Sequence, residues 1–162
     1  MENLCIQGGV GWNPDPDGGT ASICDRLITD GIITEYNYWS NLRFIVGWGL
    51  RDPEKAKEIH YNLVVTYSWG SASGNQMDSD EKISIETIIY IDPVDSARVV
   101  ENSMNAKNIL VLIPSNQNDF YSRMELAGAT VATIPNTNHS TIDDSEVTYL
   151  IIKIWLKSLH NK

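Results

Sequence analysis

Basic residues, cysteine, histidine and phenylalanine are all scarce in this chain, and no long hydrophobic run occurs. Lysine and arginine total 12 against 21 acidic residues, a formal net charge of −9. A surface of that sign repels phosphate backbones and anionic lipid, so nucleic acid and membrane surfaces are excluded as expected partners. No segment approaches the roughly 18 apolar residues of a spanning helix. Met1-Glu2-Asn3 lacks the basic region that opens a secretory signal, so a cytoplasmic location is expected. Cys5 and Cys24, one in a predicted strand and one in a predicted helix, read as buried free thiols of a reduced compartment, with a disulfide as the alternative. Two scattered cysteines and three separated histidines make no zinc ligand set. Asp15-Pro16-Asp17-Gly18-Gly19 has no EF-hand spacing and reads as a turn before a helix, so no metal is expected.

What is present suits one compact domain. The chain has 162 residues, 42% of them hydrophobic and 20% charged, enough for one sizeable core and too few for two. Short β-branched runs alternate with helical stretches. Strands are predicted over Asn3–Ile6, Ile33–Tyr38, Leu63–Tyr67, Ile85–Ile91, Asn108–Ile113 and Thr130–Ile134. Helices are predicted over Thr20–Thr29, over Pro53–His60 with Asp52 as N-cap, and more weakly over Ser96–Met104. A terminal helix carries Val147, Leu150, Ile151, Ile154 and Trp155 on one apolar face, with Asp143 or Asp144 as its start signal. Asn41–Leu50 shows no clear period. The alternation predicts an α/β domain of three layers, a mainly parallel sheet of about six strands with helices on both faces.

Two segments carry chemistry. The apolar run Leu63-Val64-Val65 leads into Thr66-Tyr67-Ser68-Trp69-Gly70, and small residues follow. A serine placed where a buried strand turns into a helix has its hydroxyl held at the rim of the sheet. Ser71 and Ser73 lie further into the helix and lack that placement. Serine is weakly nucleophilic until an imidazole takes its proton, and His139 lies in the polar loop Asn136–Asp143 just after the last predicted strand. His60 and His160 have no strand-end position.

These segments resemble the α/β-hydrolase family, particularly its small lidless esterases and lipases. The usual elbow is G-x-S-x-G, and here Thr66 stands in place of the first glycine. The resemblance implies Ser68 as nucleophile, His139 as general base, and an aspartate between them in the chain. Asp92, which ends the run Ile88–Ile91, is the first candidate; Asp119, beyond the next strand, is the second. The family also implies an oxyanion hole from the backbone of Trp69 and of Gly9 or Val10 in the glycine loop Gly8–Gly11. That loop begins a dinucleotide-binding pattern, but Pro14 occupies the third glycine position, which argues against nucleotide. The expected activity is cleavage of small-molecule carboxylic esters with no cofactor. A thioesterase or amidase, or a hydrolase-like binding module without catalysis, is the alternative.

Overall fold

The computed structural model describes residues 2–8, 19–40, 59–81, 83–94, 105–117 and 122–159. Six strands, β1 Glu2–Gln7, β2 Asn37–Ser40, β3 Ile59–Tyr67, β4 Ile83–Ile91, β5 Asn108–Pro114 and β6 Thr130–Ile134, form one sheet in the order β2-β1-β3-β4-β5-β6. All five neighbouring pairs run parallel. Among the described residues three helices accompany them: α1 Gly19–Thr29, α2 Gly70–Asp78 and α3 Glu146–Leu159.

Strand residues alternate between the two faces of the sheet, as the pleat requires. Cys5, Leu63, Val65, Ile89, Ile91, Leu110 and Leu112 pack beneath α1 and α3 against Ile23, Leu27, Ile152 and Leu156. Leu4, Ile6, Val64, Ile88, Tyr90 and Val111 face the other way, toward Met77 of α2. Helices thus cover both faces of a parallel sheet, the architecture the alternation predicts. From β1 the chain crosses to β2 on one side, then returns to β3 on the other. The sheet reverses its winding between β1 and β3, and the carboxyl ends of those strands flank the crevice where open α/β sheets take ligands.

Several expectations need correction. The strand predicted at Ile33–Tyr38 begins at Asn37, because the residues before it finish α1 instead. Gly31, at a φ of 68°, turns the chain, and the amides of Ile32 and Ile33 both donate to the Leu27 carbonyl. The helix predicted to end at His60 gives way to β3, in which Ile59 and His60 pair with Ile83 and Ser84. Residues 53–58 of that helix, the helix at 96–104 and the segment 41–50 lie outside the described residues.

The terminal helix forms, but its buried stripe is Thr148, Tyr149, Ile152 and Leu156; Val147, Leu150 and Ile154 face outward, Ile154 being 67% exposed. Tyr149 sets this phase. Its hydroxyl donates to the Arg26 carbonyl at 3.2 Å and to the Asp30 carboxylate, while the Arg26 guanidinium lies 3.6 Å over its ring. A tyrosine with partners on α1 outweighs one aliphatic residue that would otherwise be buried. The helix starts from Ser145, whose carbonyl accepts from the Tyr149 amide at 3.2 Å. Asp144 instead accepts from the Gly19 amide at 3.3 Å. Cys5 and Cys24 are not free thiols: they are joined as a disulfide between β1 and α1, with Cα atoms 6.9 Å apart. The inference of a reduced compartment therefore loses its premise. Among the described residues no helix is long and apolar enough to cross a membrane.

Candidate active site

β3 is buried from Leu63 to Tyr67, and the next residue turns the chain sharply. Ser68 has a φ of 54°, its amide donates to the Ile91 carbonyl at 3.0 Å, and its own carbonyl accepts from Ser71 at 3.0 Å as α2 begins. A left-handed backbone at a non-glycine residue costs about 1–3 kcal/mol and persists only where its surroundings hold it. Here those surroundings come from β1 and α2. A Cβ on Gly8 would fall 2.4 Å from the Tyr67 carbonyl oxygen and 2.5 Å from the Ser68 Cβ, so only glycine lets the β1 loop lie against this turn.

Thr66, in the place of the usual glycine, is fully buried and bonds sideways: Oγ1 donates to the Ile89 carbonyl at 3.2 Å and lies 3.1 Å from Ser71 Oγ. A Cβ on Gly74 would lie 2.6 Å from Thr66 Cγ2. The space that threonine occupies is thus given up by the helix.

His139 is carried by the turn after β6. Asn136 takes a φ of 58°, Thr137 Oγ1 donates to the Ile134 carbonyl at 2.8 Å, and Asn138 Oδ1 accepts from the Ser140 amide at 3.0 Å. Ile142, fully buried, anchors the far side. Tyr67 fixes the near side: its hydroxyl donates to the His139 carbonyl at 2.5 Å and its ring stacks on the imidazole with centroids 5.3 Å apart.

The imidazole Nε2 lies 3.0 Å from Ser68 Oγ, and Nδ1 lies 2.6 Å from Asp92 Oδ2. Asp92 stands one residue past β4 with a φ of 41°, its amide donating to the Leu112 carbonyl at 2.7 Å. Burial pushes its carboxyl up, but hydrogen bonds from His139 and Arg123 outweigh that and hold it below its ordinary value. An ionised carboxylate only accepts, so Nδ1 carries the proton and the Nε2 lone pair faces the serine hydroxyl. The arrangement can draw a proton from Oγ while a fixed anion supports the resulting imidazolium.

Asp119, Gly9 and Val10 lie outside the described residues. Trp69 follows the strained turn and precedes the first residue of α2, with its amide 3.0 Å from a Cβ built on Gly8. Sequence reasoning missed Arg123, which lies 31 positions from Asp92 and whose segment has no period or motif to mark it. It also missed Gln7, which accepts from the Thr20 amide and hydroxyl at 2.9 and 2.7 Å. Beside it burial pushes the Asp143 carboxyl up to about 6, with Asp144 adding repulsion and Gln7 and His139 opposing. Among the described residues no three histidines, cysteines or carboxylates converge as a metal ligand set.

The sequence matches no protein-family model and no curated protein sequence. The fold is similar to that of a crystal structure from Thermoplasma acidophilum titled a predicted CIB-like hydrolase, at a TM-score of 0.56 and 10% identity, over 99% of this chain and 87% of that one. The likeness supports a hydrolase-like fold.

Proposed function

We propose that this protein is a serine hydrolase that cleaves small-molecule carboxylic esters through an acyl-enzyme. The observation that carries the reading is the unbroken chain from Ser68 Oγ to His139 Nε2 and from His139 Nδ1 to Asp92 Oδ2, at 3.0 and 2.6 Å. It lies at the carboxyl ends of β3 and β4, beside the reversal of the sheet. In the reaction Oγ attacks the ester carbonyl as its proton passes to Nε2, and Asp92 stabilises the imidazolium. The imidazolium then protonates the departing alkoxide. Water, deprotonated by the same nitrogen, attacks the acyl-serine and frees the acid. The Trp69 amide and that of Gly9 or Val10 supply the donors for the oxyanion.

The test is labelling by a fluorophosphonate together with hydrolysis of p-nitrophenyl esters of graded chain length. The wild type is expected to label at one site and turn over. Ser68→Ala is expected to do neither while keeping its melting temperature, and His139→Ala to lose about 10⁶-fold in turnover. A wild type inert to both reagents, or a Ser68→Ala variant that still labels, overturns the reading.

A further inference from the structure

Asp92 serves two donors, one of them a fixed cation. Its Oδ1 accepts from Arg123 Nε at 2.6 Å, and its Oδ2 accepts from both Arg123 Nη2 at 3.1 Å and His139 Nδ1 at 2.6 Å. The guanidinium and the imidazole therefore compete for one oxygen of a fully buried carboxylate. The cation is held there by backbone as well as by charge. Val94 and Arg123 form an antiparallel bridge, and the Met124 amide donates to the Pro93 carbonyl at 3.0 Å, so the arginine is stitched to the two residues that follow Asp92. Its side chain is only 14% exposed, which leaves little solvent to screen it.

We infer that Arg123 is a positioning residue that sets, through the shared oxygen Asp92 Oδ2, how readily His139 accepts a proton. Two effects follow from the geometry. The guanidinium keeps Asp92 ionised when His139 is neutral, so the imidazole tautomer is fixed before any proton moves. It also opposes the imidazolium, both by its own charge and by engaging lone pairs that would otherwise serve Nδ1 alone. A buried carboxylate paired with nothing but histidine would hold the protonated form more firmly and leave less base at neutral pH. Among the described residues, the titratable groups facing the pair include Arg123 on the Asp92 side, Asp143 from the histidine's own loop and Tyr67 from the end of β3. Asp143 and Tyr67 are left unchanged by the variants below.

The role matters for catalysis only under the ester-hydrolase reading, but it is measurable without it. The His139 imidazole is titrated by carbon-13 and proton NMR in wild type, Arg123→Gln and Arg123→Lys. Arg123→Gln is expected to raise the midpoint by about one unit, the scale for losing a like charge at this range. Arg123→Lys, which keeps a cation but not the two-pronged contact, is expected to raise it by less than half as much. The acid limb of fluorophosphonate labelling should move by the same amounts. A midpoint in Arg123→Gln equal to that of wild type, with only the melting temperature lowered, would reduce Arg123 to a structural clamp and overturn the inference. Should the glutamine variant not fold, Arg123→Met, which also removes the charge, takes its place, and an unmoved midpoint there overturns the inference equally. A wild type that titrates as expected yet never labels would sink the esterase reading and leave the charge coupling standing.

Discussion

Ser68, Asp92 and Asn136 are the non-glycine residues with positive φ among those described, and each stands just beyond the carboxyl end of a strand, β3, β4 or β6. Strain gathered at one rim of a sheet is what a constellation held against relaxation looks like. Its geometry depends on residues with no chemistry of their own. Gly8→Ala would force a methyl group onto the Tyr67 carbonyl and the Ser68 Cβ, so it is expected to cut labelling at least 100-fold and to lower the melting temperature. Asp92→Asn keeps the shape but presents an amide to Nδ1, and turnover is expected to fall by about 10³–10⁴-fold with the fold intact. Steady-state kinetics beside circular dichroism checks both. At this scale Ser68, His139 and Asp92 were legible because strand ends and a polar loop mark them in one dimension. Arg123 was not, since its partner is set by an antiparallel contact between two irregular segments.

Elements obey the same logic of fit. Gly74→Ala should gain roughly 1 kcal/mol of helix propensity yet lose about 2 kcal/mol or more by overpacking against Thr66 Cγ2. In a Thr66→Ser background, where that methyl is absent, the same alanine is expected to stabilise; a urea double-mutant cycle reads the reversal. At the other end of α2, Asp78 accepts from the Ala106 amide at 2.6 Å, and burial pushes its carboxyl up to about 6. The folded form therefore prefers the protonated acid. Stability from this group is full below an unfolded value of about 4 and is lost as pH rises through about 6. Asp78→Asn, which keeps the acceptor, is expected to gain on wild type by about 2 kcal/mol between pH 4 and pH 7 in urea unfolding. Strands were the most readable elements: runs buried on both faces, such as Ile88–Ile91, are continuous in the sequence, and the largely exposed edge strand Thr130–Ile134 also falls at the predicted bounds. The phase of α3 was hidden because apolar spacing weighs Leu150 above Tyr149, whereas the tyrosine finds hydrogen-bond and cation partners on another helix. β2 was misplaced because capping of α1 consumes amides that a strand would have used.

Across the whole molecule, the disulfide closes a span of 19 residues that holds the β1 loop and the start of α1. Loop closure of that length is worth about 3 kcal/mol. Cys24→Ser is expected to lower stability by that order, and thiol titration of the denatured, unreduced protein should find no free sulfhydryl. A parallel α/β domain was legible from alternation, but the order of its strands was not, because buried β-branched runs carry no label for their neighbours. That order has a consequence for biosynthesis. β1 is made before the other five strands of the sheet yet ends up in its interior, and its partner β3 does not begin until Ile59. Every pairing joins distant parts of the chain, so assembly waits on slow, non-local closure. Trimming residues 2–7 would remove an interior stave and strand β2, and no nascent fragment that stops before β3 can have completed the crevice.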